Sequence, residues 1–102
     1  MPVQIKKYVE NPLVSIIIPS LYFDQRNENI HNLIKDIENQ TLKDIEIIFV
    51  IGDNRQGRAI NTGAKIASGD ILVILDDDTR LGNNKVIENL YNALQKHNDY
   101  GL

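Results

Sequence analysis

The sequence predicts an α/β domain of three layers, α/β/α, built on a small and mostly parallel sheet. Three short, mostly apolar runs, residues 14–18, 45–51 and 71–75, alternate with three stretches of helical periodicity. That alternation marks parallel strands joined by right-handed crossover helices. The apolar runs are nearly unbroken, as in strands covered on both faces. Polar groups follow each run: Ser20 after the first, Asp53 after the second, and Asp76, Asp77 and Asp78 after the third. In a parallel sheet the three ends share one rim, and ligands of open α/β sheets bind there. The arrangement is Rossmann-like.

Residues 1–12 read as a polar leader, with Pro12 marking entry to the fold. The first strand is expected to stop at Pro19, because proline cannot donate to a ladder. A polar loop carries Tyr22 and Phe23. Ile30, Leu33, Ile34 and Ile37 then fall at i, i+3, i+4 and i+7 within residues 28–39, one face of an amphipathic helix. Residues 40–44 form a turn, and Gly52 and Gly57 punctuate the chain after the second strand. Residues 58–68 read as a helix with a small inner face, Ala59 or Ile60, Gly63, Ala64 and Ala67, with Gly69 placed to end it as a left-handed cap. Asn83 or Asn84 is expected to cap a last helix, whose stripe is Val86, Ile87, Leu90, Tyr91 and Leu94. The third strand has no successor to pair with, so its edge is expected to be exposed and to drive self-association.

The chain has 102 residues, one core's worth, and a net charge of −3, which gives no reason to expect nucleic acid as a partner. It has no cysteine, so disulfides and thiolate metal sites are excluded. His31 and His97 lie far apart in helical patterns, which argues against a histidine zinc site. No stretch reads as a signal peptide or membrane span, and a cytoplasmic location is expected, with missing segments allowing the cytoplasmic side of a membrane.

The acidic triplet carries the chemistry. Three adjacent carboxylates repel one another, a cost that a divalent cation would offset, and hard cations take oxygen ligands. The bland alternative is a solvated acidic turn. Arg55, Arg58 and Lys65 likewise read as a solvated helix face, and Asn61 as a residue that pins a loop.

Four pieces of the chain, in order, resemble the amino-terminal half of family 2 glycosyltransferases with the GT-A fold. They are Val14-Ser15-Ile16-Ile17-Ile18-Pro19-Ser20, then Gln40-Thr41 running to Glu46-Ile47-Ile48. Next comes Gly57-Arg58-Ala59-Ile60-Asn61-Thr62-Gly63, and last Ala67-Ser68-Gly69-Asp70 leading into the acidic strand end. The resemblance implies a truncated GT-A nucleotide-sugar-binding domain over residues 13–102. Its donor would be a nucleoside-diphosphate sugar, a UDP-sugar by first choice, moved with help from Mg²⁺ or Mn²⁺ to an unknown acceptor. Asp76 and Asp78 would be the D-x-D pair, with Asp78 on the metal and Asp76 on the ribose or the metal's water shell. Pro19, Ser20, Tyr22, Asp53, Arg58, Asn61 and Asp77 would stand around the nucleotide, Asp53 at the base and Arg58 near a phosphate. Asp77 is also expected to hydrogen-bond within the turn rather than to bind metal.

Three departures from the family pattern stand out. Gly52-Asp53-Asn54 replaces the usual Asp-Asp-Gly-Ser, the segment before Gly57 is much shorter, and Leu21 takes the usual tyrosine position, with Tyr22 one place later. The acceptor half and catalytic base are expected beyond Leu102, which would leave this chain inactive alone. A non-catalytic nucleotide-binding or assembly module is the alternative. A response-regulator receiver fits poorly, since it needs an acidic pair after strand one, where Pro19-Ser20 stands. A haloacid-dehalogenase phosphatase is rejected because Arg80 replaces its Thr or Val and its motif would come near the start of the chain.

Overall fold

The computed structural model describes residues 3–21 and 27–96. Its elements are β1 (Val3–Lys7), β2 (Val14–Ser20), α1 (Asn27–Glu38), β3 (Ile45–Ile51), α2 (Gln56–Ile66), β4 (Ile71–Ile74) and α3 (Val86–Lys96). The strands form one sheet in the order β1-β3-β2-β4. β2 runs parallel to both β3 and β4, and β1 runs antiparallel to β3. The expected small, mostly parallel α/β sheet is what the chain forms.

The two inner strands bury both faces. Ile16 and Ile18 of β2, Ile45, Ile47 and Phe49 of β3 and Val73 of β4 pack with Ile30, Leu33 and Ile37 of α1 and Ile87 of α3. On the opposite face Ile17, Ile48 and Val50 pack with Ala59 of α2. Helix α2 lies close because its inner residues are small. A Cβ added to Gly63 would stand 2.7 Å from Ile17 Cγ2. The chain steps from β2 to β3 in one direction and from β3 back across β2 to β4 in the other. Right-handed crossovers therefore set α1 and α2 on opposite faces. A crevice opens between the ends of β2 and β3, where their loops diverge.

Several expectations are corrected. The leader contributes an edge strand: Val3–Lys7 pairs with Val50 to Glu46 of β3. The β2 strand continues past Pro19 to Ser20 along β3, and only its β4 side stops. Leu75 N–H donates to Ile17 O, and Gly52 N–H donates to Ser20 O. The backbone groups of Ile17 and Pro19 therefore face β4, and the missing Pro19 N–H falls where β4 would have continued. β4 is not covered on both faces: Leu72 and Ile74 are 42% and 45% exposed. Helix α2 lies over β2 and β3, and no strand among the described residues pairs with the outer edge of β4.

Helix α2 begins two residues earlier than expected, at Gln56, and ends at Ile66, with Ala67 already extended. Gly69 is not a left-handed cap, since Gly52 is the one positive-φ glycine among the described residues. Gly69 is small for a different reason: a Cβ there would lie 2.7 Å from both the N and Oγ of Ser15. In α3, Ile87 is buried while Leu90 and Leu94 are each 41% exposed. Among the described residues no helix is long and apolar enough to cross a membrane.

Candidate functional site

The carboxyl ends of β2, β3 and β4 surround an open, polar cleft of about 350 Å³. Pro19 and Leu21 line it from β2, Asp53, Asn54 and Gln56 from the β3–α2 connection, and Asp76, Asp77 and Asp78 from the end of β4. Residues far apart in sequence meet here because three parallel strands end on one rim.

The acidic triplet is divided by its local geometry. Ser20 Oγ donates to Asp77 Oδ2 at 2.7 Å, and both side chains are buried. Asp76 and Asp78, on either side, are exposed. Thr79 N–H donates to Asp76 O at 3.1 Å, closing the turn around the three acids. The inward residue anchors the turn to β2 and leaves its two neighbours at the cleft. Asp77 thus bonds to the neighbouring strand, and Ser20 reaches it from the first rim segment.

Asp53 is engaged within the chain. Its Oδ2 accepts from Arg58 Nε at 2.8 Å, and its Oδ1 accepts from an Arg58 terminal nitrogen at 3.0 Å and from Arg55 N–H at 2.9 Å. The Asp53 side chain has no exposed surface, while that of Arg58 is 55% exposed. The Arg58 guanidinium, then the Arg55 N–H, hold the Asp53 carboxyl below the usual carboxylate range, and Asp53 in turn raises Arg58. The residue expected at the base and the one expected at a phosphate are each other's partners. They fix the start of α2, which lacks a local side-chain cap at Arg55. Gly52, at φ +82°, lets the chain turn from β3 into this loop. Asn61 is exposed on α2, outside the residues that line the cleft. Tyr22 lies outside the described residues.

A metal cage made by protein alone is absent: no group of three or more His, Cys, Asp or Glu among the described residues could hold a cation. Two exposed carboxylates, Asp76 and Asp78, flank one turned inward.

Four polar residues were not expected to matter. Gln40 is buried at the end of α1, and Asn54 and Gln56 bring amides to the cleft. Glu46, near the start of the inner strand β3, accepts hydrogen bonds from Ser15 Oγ at 2.6 Å and from Ser68 N–H and Oγ at 2.6 and 3.0 Å. Burial alone would raise the Glu46 carboxyl, yet those bonds from Ser15 and Ser68 hold it below the usual range. This network closes the opposite end of the sheet from the cleft. A polar residue inside an otherwise apolar strand run was the signal for it.

Acid should therefore unfold the protein through identifiable groups. The Arg80 guanidinium lowers Asp36, the Tyr8 hydroxyl and then Lys6 lower Glu38, and Glu46 and Asp53 are lowered as described. Each binds its proton less readily folded than unfolded, so the unfolded chain takes up more protons as pH falls. Their contribution is complete above the unfolded carboxylate values, about pH 4, and is lost as pH drops through the lower folded values. Thermal unfolding followed from pH 7 to pH 2 should show a midpoint that is level near neutrality and falls steeply below that value. A midpoint that stays level to pH 2 would contradict it.

A family model described as glycosyl transferase family 2 matches residues 51–102, half of the chain. The match runs from the last residue of β3 through the acidic triplet and α3. Among curated proteins no match is found.

Proposed function

The chain belongs to glycosyl transferase family 2, and from that premise we propose that it is the donor-binding part of a glycosyltransferase. Its ligand is a nucleoside-diphosphate sugar, with a UDP-sugar the first candidate, held together with Mg²⁺ or Mn²⁺. One observation carries the reading: Asp76 and Asp78 stand exposed at the crevice while Asp77 is tied inward to Ser20. A solvated acidic turn has no need of that division. Mg²⁺ is commonly held by one or two carboxylates plus substrate phosphates rather than by an all-protein cage. Two exposed carboxylates, with no cage of three or more acids among the described residues, suit a cation that arrives with a diphosphate.

When bound, the cation supplies Lewis-acid stabilisation of the departing diphosphate. The chain's own residues do the rest of the holding. Asp76 and Asp78 provide the cation's oxygen ligands. Ser20, through Asp77, keeps their turn against β2. The Asp53–Arg58 pair keeps the neighbouring wall in place, and Asn54 and Gln56 offer amide donors and acceptors to the nucleoside. Acceptor binding and the general base are assigned to no residue of this chain.

The test is a titration of the chain with UDP, with and without Mg²⁺, followed by amide chemical shifts. Shifts at Asn54, Asp76 and Asp78 that require both ligands are expected. Replacing Mg²⁺ by paramagnetic Mn²⁺ should broaden the signals around Asp76–Asp78 first. Shifts that are independent of metal, or that centre on another face, would overturn the proposal.

A further inference from the structure

The stretch that leaves the acidic triplet, residues 79–85, has no helix or strand to fix its path. Besides two local bonds, Thr79 N–H to Asp76 O and Lys85 N–H to Asn83 Oδ1, it is held at several points from α1 and the residues just after it. The Asp36 carboxylate accepts from Arg80 through two nitrogens, at 2.7 and 3.2 Å, and from Leu81 N–H at 3.0 Å. Gln40, 1% exposed, uses both ends of its amide. Its Nε2 donates to Asn83 O at 2.7 Å and to Asp36 O at 3.3 Å, and its Oε1 accepts from Ile87 N–H at 3.0 Å. Thr41 N–H donates to Asn84 O at 2.8 Å.

We propose that Gln40, Asp36 and Arg80 form a positioning clamp that sets where the Asp76 and Asp78 carboxylates stand. The proposal rests on the donor-site reading for its functional meaning. A helix start needs only a local Ser, Thr, Asp or Asn to cap it. Here the N–H of Ile87 is capped by a buried amide from a distant segment, and the same amide holds the carbonyl of Asn83. A long-range partner places the loop as well as satisfying the helix. The acids need such placement, because adjacent carboxylates repel and a loosely held turn would let them spread. Ser20 restrains the turn from the β2 side through Asp77. The clamp restrains it from the other side, beginning two residues beyond Asp78. Outer partners bonded directly to metal ligands cost roughly tenfold to a hundredfold in metal affinity when lost. This clamp acts one step further out, through residues 80–83, so its loss should fall at the low end of that range.

The test uses the full chain with Gln40→Ala and, separately, Arg80→Ala. The Arg80 side chain is 63% exposed, so the second variant keeps its fold even where the first is too unstable. Two readouts are taken. Without metal, amide shifts and hydrogen exchange at Asp76, Asp77, Asp78 and Thr79 should change in both variants, while Ser15 and Glu46, at the far end of the sheet, stay as they were. With Mg²⁺, UDP affinity should fall by up to roughly tenfold in Gln40→Ala and by a smaller factor in Arg80→Ala. Arg80→Lys, which keeps one contact to Asp36, should recover part of the loss seen in Arg80→Ala. Unmoved signals at Asp76–Thr79 with wild-type UDP affinity in both variants would make these residues helix-capping and loop-packing groups only and overturn the clamp. If the unsubstituted chain binds no UDP with Mg²⁺, the donor reading fails, and the metal-free signals still decide whether the clamp positions the acids.

Discussion

Asp78→Ala should abolish metal-dependent nucleotide binding and leave the folded chain as stable as before or slightly more so. Asp78 is exposed at the cleft, one residue from the inward Asp77 and two from the exposed Asp76. Substitution of an exposed residue away from the core changes stability by no more than about 0.5 kcal/mol. Removing one of three like charges relieves repulsion in the turn, which offsets the contact that Asp78 itself gives up. Binding is affected far more strongly. A site with two carboxylates keeps one, and a directly coordinating group should matter more than the outer partners whose loss costs roughly tenfold to a hundredfold. Asp77→Ala should behave in the opposite way. It breaks the buried bond to Ser20, so stability falls by about 1–3 kcal/mol, and binding suffers through the turn's position. Calorimetric titration with UDP and Mg²⁺ beside thermal unfolding separates the two variants. An Asp78→Ala protein that unfolds cooperatively at a much lower temperature would make the triplet a structural element.

Among the described glycines, Gly69→Ala should be the most damaging change. The added carbon would stand 2.7 Å from the N and Oγ of Ser15 and 2.8 Å from the carbonyl carbon of Val14. Two of those atoms are backbone of β2, which is hydrogen-bonded on both sides, so they cannot step aside. The third is the hydroxyl that accepts from Gly69 N–H and donates to Glu46. Overpacking costs roughly 1–3 kcal/mol, and a buried group left unsatisfied costs about as much again. A combined loss of roughly 3–5 kcal/mol would lower the unfolding midpoint by on the order of 15–30 °C in a domain of this size. Gly57→Ala is the control. Nothing lies within 4 Å of a Cβ at Gly57, and the residue sits in the first turn of α2, so alanine should add helix propensity and raise stability by up to about 1 kcal/mol. Equal midpoints for the two variants would refute the close-contact account of Gly69.

The parts of this fold that were legible in the sequence owe their form to their own residues. β2 and β3 are buried on both faces, and their near-continuous apolar runs say so. Helix α1 carries its periodicity in Ile30, Leu33 and Ile37. The acidic triplet stands out because its charges have no obvious use in a turn, and it lines the cleft at the strand ends. What was not legible depends on a partner. Val3–Lys7 is largely exposed and becomes a strand through pairing with β3. The exposure of Leu72 and Ile74 follows from where α2 lies, which the residues of β4 do not encode. Gly69 sits where a helix cap would sit, yet its smallness serves a contact with Ser15. Asp53 stands where the family pattern puts a ligand group, and the rotamer of Arg58 turns it into a loop anchor. The role of Gln40 is not legible, because a single amide has no periodicity and its partners lie in the loop before α3 and at that helix's start.

The strand order has a kinetic consequence. Among the described strands none lies beside its predecessor through a tight turn: β1 waits for β3, β2 waits for β3 and then β4, and each pairing closes a long loop. The sheet therefore has no hairpin from which to nucleate, and such non-local pairings are slow to form. During synthesis β1 and β2 would emerge as unpaired strands, and the sequence up to Ile51 must be made before any ladder in the sheet can be complete. β3 is the strand on which assembly turns. A lesion that delays β3, such as a substitution at Ile47 or Ile48, would leave two strands exposed at once. Its cost would appear as aggregation during folding before it appeared as lost stability in the finished protein.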